Sequence, residues 1–166
     1  MLCSRIRVEE KLIFEALRKR GVSFEKFDVR KLYFSLGDGV VLKEDAEDGK
    51  PPLGGKETSI LNCDVVLIRC ISHREALYAS RVLKSLGLRT VNTFEAIRTA
   101  GDKLLTTVAL LEHGVPTLPT AMALTPKAAL KAIEDIGYPA VLKPVHGSWG
   151  RLLARVDNPT MAEAIL

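Results

Sequence analysis

The sequence predicts an α/β protein in two parts: an open parallel α/β unit over residues 1–97 and a smaller α+β unit over residues 98–166. Helical and strand patterns alternate in the first part, and the helical patterns stop at glycines, which is typical of a parallel sheet covered by helices. In the second part, two strand patterns flank a glycine-containing loop and are bracketed by helical patterns.

Apolar spacing defines the elements of the first unit. Leu12, Ile13, Ala16 and Leu17 recur at helical spacing before Gly21, a typical residue after a helix end. A stretch rich in glycine, proline and acidic residues then interrupts the regular patterns. In chain order the patterns predict a helix over 9–20, a strand over 22–29, a surface loop over 37–58, a buried strand over 63–69, a helix over 74–86 and a short strand over 89–92.

Cap residues define the elements of the second unit. Thr125 and Pro126 form a typical helix start, because threonine caps the first turn and proline suits the first helical position. Asn158 before Pro159 repeats that start, and the sequence stops about two turns later, so we expect the second unit to be incomplete. The patterns predict helices over 102–113 and 126–136, strands over 139–145 and 151–156 around a loop over 146–150, and a last helix from 159.

Composition describes a globular protein of the cytoplasm. The 166 residues are 47% apolar and 27% charged, and no apolar run approaches membrane-spanning length or follows a basic start as in a signal peptide. Three cysteines without metal-ligand spacing indicate reduced thiols. The net charge of +4 favours an acidic partner weakly, and the basic residues lack the aromatic interleaving of a nucleic-acid site.

The segment over residues 140–156 is the strongest candidate site. Gly147 and Gly150 allow backbone N–H groups to approach phosphate oxygens, because glycine has no Cβ. Lys143 lies in an otherwise apolar strand, where a lysine needs an anionic partner. An ordinary hairpin with Lys143 on its solvated face explains these residues equally well. The loop is not a Walker motif, since no Gly-Lys-Ser/Thr follows it.

Two more basic residues are candidates. Lys103 begins a predicted helix, where a positive charge opposes the helix dipole and suits an external anion, although a solvated lysine is the more ordinary interpretation. Arg69 lies at the carboxyl end of a buried strand, where open α/β sheets bind ligands, and Ser72 follows shortly after it. An ion pair of Arg69 with Asp64 or Glu75 is an equally good interpretation.

Together these motifs resemble the first half of an ATP-grasp ligase. The resemblance covers nearly the whole chain apart from the acidic loop over 44–56, and Gly-Ser-Trp-Gly after Leu-Lys-Pro is its most specific part. The sequence around Arg69, Val91 and His146 is similar to the branch of the family that joins an amino acid to an amino-group carrier protein in lysine and arginine biosynthesis. The motifs that carry the resemblance lie at residues 101–103, 138–144 and 147–153.

The resemblance implies an amino-terminal pre-ATP-grasp domain over 1–97 and an ATP-grasp lid subdomain over 98–166, with the carboxyl-terminal catalytic subdomain absent. It implies ATP and magnesium as cofactors, with no catalytic residue and no metal ligand in this chain. Arg69 and Ser72 are possible residues at the ligand end of the sheet. The residues implied in nucleotide binding are Lys103 and Lys143 on the ATP phosphates and a flap formed by Gly147, Ser148, Trp149, Gly150, Arg151, Leu152 and Leu153.

The implied reaction forms an amide bond, through an acyl phosphate, between the terminal glutamate of a small acidic carrier protein and α-aminoadipate or glutamate. We expect no membrane or nucleic-acid partner, a homo-oligomer as the full-length enzyme, and no activity from this chain alone. The opening strand is shorter than in relatives, so either the start codon is misplaced or the sheet has a weakened strand. The alternatives are a non-catalytic nucleotide- or carrier-binding module left by truncation, and an unrelated α/β interaction domain.

Overall fold

The structure of the chain, a computed structural model, describes residues 1–37, 39–44 and 59–166. The chain divides into two compact units, Met1–Arg98 and Thr99–Leu166. Most of the surface loop predicted over residues 37–58 lies outside the described residues.

Within the described residues the chain forms eight strands and six α-helices. The strands are β1 (Leu2–Cys3), β2 (Phe27–Asp28), β3 (Leu32–Leu36), β4 (Val40–Glu44), β5 (Val66–Arg69), β6 (Thr90–Val91), β7 (Ala140–Leu142) and β8 (Ala154–Val156). The helices are α1 (Val8–Lys19), α2 (His73–Ser85), α3 (Phe94–Ala100), α4 (Lys103–Glu112), α5 (Pro126–Ile136) and α6 (Pro159–Ile165).

A four-stranded parallel sheet in the order β2-β1-β5-β6 organises the first unit and confirms the predicted fold class. In the central strand β1, Leu2 pairs with Phe27 on one side and with Ile68 on the other. Leu2 is fully buried and Cys3 is only 5% exposed. The opening strand is therefore short, but neighbours hold it on both sides, as is typical of an inner strand of a parallel sheet.

The two long helices of the first unit begin and end close to where their sequence patterns predict. Helix α1 is followed by Gly21 at φ 66° and helix α2 by Gly87 at φ 80°. Both glycines adopt the left-handed backbone conformation in which a chain often leaves a helix. Residues with a Cβ adopt this conformation only at an energetic cost.

The strand predicted over 22–29 is wrong except at its end, because only Phe27–Asp28 pairs with the sheet. The apolar alternation in this segment does not correspond to a buried face. Val22 is 47% exposed, while Phe24 stacks on Phe14 of helix α1 with ring centroids 4.9 Å apart.

The loop predicted from residue 37 is also wrong at its start, where strands β3 and β4 form an antiparallel hairpin. Gly37 and Gly39 mark the turn of that hairpin, and the Gly37 N–H donates to the Gly39 carbonyl over 3.1 Å. Leu42, 1% exposed, anchors the hairpin in the core of the first unit. The remainder of that core comes from the sheet, from helix α2 and from two short 3-10 turns at Val29–Lys31 and Ser59–Asn62. Its other buried members are Leu2, Phe27, Val29, Ile60, Val66, Ile68, Ala76, Ala79 and Leu83.

The second unit contains a small antiparallel pair, β7 with β8, against which helices α5 and α6 pack. Its core consists of Ile133, Val156 and Ala162. Both predicted helix starts are confirmed, since the side chains of Thr125 and Asn158 accept hydrogen bonds from backbone N–H groups in the first turn. The two strands are shorter than predicted, so the intervening loop spans residues 143–153 instead of 146–150.

Two general features concern the described residues only. None of their helices combines the length and apolarity that crossing a bilayer requires. Cys3, Cys63 and Cys70 are free thiols, and burial raises the pKa of Cys70 to about 12, so its thiol remains protonated and unreactive at neutral pH.

Because Leu2 is fully buried in the central strand, Leu2→Ala should lower the free energy of unfolding by about 2–5 kcal/mol. The matched control is Leu12→Ala on helix α1, where the side chain is 59% exposed and the change should stay within about 0.5 kcal/mol. Urea unfolding followed by far-ultraviolet circular dichroism measures both. Equal losses in the two variants would contradict the central position of β1.

Candidate functional site

The loop over residues 143–153 joins strand β7 to strand β8 and carries most of the candidate residues. Its tip turns tightly, and the Arg151 N–H approaches the Ser148 carbonyl at 3.4 Å. Trp149, Gly150 and Leu152 all adopt positive φ angles, of 62°, 68° and 57°. Two of these three residues have a Cβ, and the left-handed conformation costs such residues about 1–2 kcal/mol each.

Gly147 is required by the local geometry at the start of the loop. Its φ of 149° lies in the region that residues with a Cβ rarely adopt. A Cβ added there would also meet Pro144 Cγ at 3.4 Å. The glycine therefore allows the backbone to turn close to Pro144, and its carbonyl remains available to accept a hydrogen bond.

That partner is Lys103, the first residue of helix α4. Its ammonium group donates to the Gly147 carbonyl over 3.0 Å, and its backbone N–H donates to the Val145 carbonyl over 3.1 Å. The sequence suggested no local partner for Lys103, but in the structure its ammonium group bonds to the Gly147 carbonyl. The structure brings Lys103 together with the beginning of the loop, as a joint nucleotide site would need.

His146 strengthens the same junction. Its Nδ1 lies 3.2 Å from the Gly101 carbonyl oxygen, to which it donates, and its Nε2 lies 3.6 Å from an Asp102 carboxylate oxygen. Asp102 also caps helix α4, accepting from the Leu105 N–H at 2.9 Å. Sequence reasoning missed this role of Gly101 and Asp102 as anchors for the loop, although the aspartate before an apolar helical run was a visible capping signal.

Lys143 lies one residue beyond strand β7, and its side chain is exposed. Among the residues that the structure describes it has no ion-pair partner, so the interpretation of a lysine trapped in an apolar strand is wrong: the strand ends before it. The loop residues from Gly147 to Leu153 are exposed as well, with Trp149 at 82% and Leu152 at 85%. The arrangement offers cationic groups and exposed backbone to an anion.

The two candidates in the first unit have structural partners. Arg69 forms an ion pair with Glu10, with Nη2 2.9 Å from Oε1, and not with Asp64 or Glu75 as the sequence suggested. Ser72 caps helix α2, and its hydroxyl accepts from the Glu75 N–H at 3.4 Å.

Glu10 is the functional-looking residue that sequence reasoning missed. Its side chain is completely buried in helix α1 and accepts hydrogen bonds from Arg7 and Arg69. Burial acts to raise its pKa, but the hydrogen bonds from the side chain and backbone of Arg7 and from Arg69 outweigh burial and lower the pKa to about 2. The sequence carried one signal for this contact, because Glu10 follows Arg7, the residue before helix α1, by three positions. The cluster fixes Arg69 to helix α1.

In the described part of the chain, no group of three or more histidine, cysteine, aspartate or glutamate side chains is placed to hold a metal ion.

A family model matches the first part of the chain, and curated relatives match nearly all of it. The family model described as the LysX preATP-grasp domain matches residues 1–47 and 41–99. The glutamate–LysW ligase ArgX of Sulfurisphaera tokodaii is 35% identical over 161 residues, which cover 97% of this chain and 50% of the relative. The α-aminoadipate–LysW ligase LysX of the same organism is 30% identical over 157 residues, covering 94% and 50%. The chain spans about half the length of the curated relatives it matches.

Solved structures share the fold. The RimK domain ATP-grasp protein of Sphaerobacter thermophilus matches with a TM-score of 0.71 at 25% identity, over 99% of this chain and 56% of that one. The ATP-grasp ligase PsnB, solved with precursor peptide PsnA2 and AMPPNP, matches in fold with a TM-score of 0.59 at 17% identity, over 99% and 60%. The family model and the curated relatives confirm the family resemblance, and the solved structures confirm the fold class that the sequence predicted.

The buried Glu10 makes the stability of the first unit depend on pH. Its folded pKa of about 2 lies below the ordinary 4.5, so its contribution is fully present above about pH 4.5 and is lost as the pH falls towards 2. Glu10→Gln should flatten that dependence and should lower the free energy of unfolding at pH 7 by about 3 kcal/mol, because two guanidinium groups lose their charged partner.

The control is Glu9→Gln, since the neighbouring carboxylate is 58% exposed and lies 3.8 Å from Arg7. It should change stability by less than about 1 kcal/mol. Urea unfolding at several pH values measures both variants. An acid transition that survives unchanged in Glu10→Gln would contradict the assignment.

Trp149 should be dispensable for stability, because its side chain is exposed. Trp149→Ala should leave the free energy of unfolding within about 0.5 kcal/mol, whereas Ile133→Ala, in the core of the same unit, should lower it by about 2–5 kcal/mol. Trp149 is the one tryptophan of the sequence, so its fluorescence reports on it alone and should be readily quenched by acrylamide. A large loss of stability in Trp149→Ala would identify it as a packing residue instead.

Proposed function

The chain belongs to the LysX preATP-grasp domain family, and from that premise we propose that it is part of an ATP-dependent carboxylate–amine ligase whose phosphate-gripping loop it supplies. Relatives similar to most of this chain are ligases named for glutamate or α-aminoadipate and LysW. The candidate loop over residues 143–153 lies in Thr99–Leu166 and entirely outside the residues that the family model matches, so its role rests on its own geometry.

The observation that carries the proposal is the hydrogen bond from the Lys103 ammonium group to the Gly147 carbonyl. The ammonium group thus lies against a loop that begins with a second exposed lysine, Lys143, and whose residues from Gly147 to Leu153 are exposed. A phosphate oxygen attracts an ammonium group more strongly than a neutral carbonyl does, because both partners are charged. ATP would therefore compete for Lys103, and the exchange would release the Gly147 carbonyl and couple the loop to the nucleotide.

In the proposed reaction, a carboxylate oxygen of the carrier's terminal glutamate attacks the γ-phosphorus of ATP, ADP leaves, and an acyl phosphate forms. The amine of the amino acid, α-aminoadipate or glutamate, then attacks the acyl carbon. The amide bond forms as inorganic phosphate leaves, and the amine proton passes to solvent. Lys103 and Lys143 would stabilise charge on the transferred phosphoryl group, and the loop would keep water from the acyl phosphate.

The proposed partners follow from the same reaction. A small acidic carrier protein would be attracted by the net charge of +4, which raises the rate of encounter more than the affinity. Magnesium would neutralise further phosphate charge when bound. The described residues contain no cluster of three or more histidine, cysteine or acidic side chains that could hold it. We also propose that the full-length enzyme is cytoplasmic and homo-oligomeric.

Removing either lysine should weaken ATP binding. Lys103→Ala and Lys143→Ala should each raise the dissociation constant for ATP by about 10- to 100-fold, since a charge-assisted contact contributes about 1.5–3 kcal/mol. Lys127→Ala is the matched control, because it removes the same charge from an exposed position in helix α5. Titration of the 166-residue chain with magnesium–ATP, followed by amide chemical shifts, gives both the affinity and the location.

Shifts that miss residues 101–103 and 143–153, or an equal effect of Lys127→Ala, would contradict the phosphate grip. The ligase activity has a separate test. The full-length gene product carrying this chain should increase the intact mass of an amino-group carrier protein by one glutamate or α-aminoadipate residue when ATP is present. ATP binding at the loop without any such adduct would leave a nucleotide-binding module in place of a ligase.

A further inference from the structure

A cleft of about 630 Å3 opens in the first unit where strands β1 and β2 end. Its volume lies in the range typical of small-molecule sites. The carboxyl ends of parallel strands are where open α/β sheets bind ligands. The cleft is lined by Cys3, Ser4, Arg5, Ile6, Lys26, Phe27, Asp28, Arg30 and Lys31.

The lining is strongly cationic. Arg5 comes from the segment after β1, whereas Lys26, Arg30 and Lys31 flank β2, so two separate segments direct positive charge into one concavity. The acidic lining residue is Asp28, and it is engaged by Arg30, with Nη2 2.6 Å from Oδ2. A cleft in which one sign of charge predominates attracts counter-ions of the opposite sign.

At the neighbouring position on the sheet, between β1 and β5, the polar side chains are bonded to other groups of the protein. The strand order reverses there, which is the usual place for a ligand in such folds. The Ser4 hydroxyl donates to Glu75 Oε2 over 2.6 Å and accepts from the Ile71 N–H at 3.3 Å. Arg69 is held by the buried Glu10. The open space therefore lies one strand further along, in the cationic cleft.

A second cleft of about 520 Å3 adjoins the first, and the two share Ile6 and Lys26. Its walls include the stacked rings of Phe14 and Phe24, while Arg18 lies 5.4 Å from the centre of the Phe24 ring. The paired clefts thus present a cationic compartment beside a mainly apolar one.

We propose that these paired clefts form a binding site for a small organic dianion, distinct from the loop in the second unit. The charged group would lie between Arg5 and Lys26, and an apolar group would contact Ile6 and the edge of Phe24. A phosphate monoester and a dicarboxylate both carry this chemistry. The site does not depend on the ligase proposal, because its residues all belong to Met1–Arg98.

The test is an amide chemical-shift titration of the 166-residue chain at constant ionic strength with phenyl phosphate, phenylsuccinate and inorganic phosphate. Phenyl phosphate or phenylsuccinate should produce saturable shifts at residues 4–6 and 24–31, and the tighter of the two identifies the source of the dianion. Inorganic phosphate should bind more weakly than phenyl phosphate, because it lacks the apolar group.

Two double variants of equal charge change separate a site from general attraction. Arg5→Gln with Lys26→Gln should weaken binding about 10-fold or more, since both cations line the cleft. Lys11→Gln with Lys19→Gln, on exposed positions of helix α1, should change it less than about 2-fold. Equal weakening by the two pairs, shifts confined to residues 143–153, or no saturable shift with any probe would overturn the proposal.

Discussion

Lys103 attaches helix α4 to the candidate loop, because its backbone N–H and its ammonium group both donate to carbonyls of the loop. A loop of this length between two three-residue strands would otherwise have many accessible conformations. The hydrogen bonds from Lys103 restrict the loop conformation at Val145 and Gly147. The hydrogen bond from His146 to the Gly101 carbonyl restricts the same part of the loop. The second unit can therefore present its exposed backbone and its lysines in a defined place, even though its apolar core is small.

The first unit shows a different use of charge. Glu10 is buried with two arginines that are about two-thirds covered, so its charge is compensated inside the protein and is not offered to a ligand. A buried carboxylate without those partners would favour its neutral form. The network ties the amino-terminal end of helix α1 to the end of strand β5. Arg69 thus helps to fix the position of the sheet's carboxyl edge, which is a structural contribution to whatever binds near that edge.

The sequence predicted the parts of this structure that depend on local chemistry. The helices bounded by Gly21, Gly87 and Gly137 and capped by Thr125 are found close to their predicted bounds, because capping and positive φ angles are determined by adjacent residues. The hairpin at Leu32–Leu36 and Val40–Glu44 was not predicted, since its pairing depends on Leu42 entering a core built from distant segments.

In the candidate site, too, residue types could be predicted from the sequence but long-range contacts could not. The glycines and lysines of the loop were identifiable because their types suit an anion, whereas the partners of Lys103 and Arg69 were not. Glu10 and Arg69 are 59 residues apart, and Lys103 and Gly147 are 44 apart. Pairings at such separations follow from the tertiary fold, and one sequence carries no direct signal for them. Opposite charge narrows the choice of partner for Arg69 but does not select Glu10 over Asp64 or Glu75.

The tip of the loop combines two costs that a purely structural turn would avoid. Trp149 and Leu152 occupy left-handed backbone conformations, which asparagine or glycine would adopt with less strain, and both expose large apolar side chains to water. Neither residue contributes to the core of the second unit. Strain and exposure at the same two positions therefore bring no stability to this unit, and such features are commonly retained at functional sites. This is independent support for a functional loop, because it comes from backbone angles and exposure and not from the charge of the lysines.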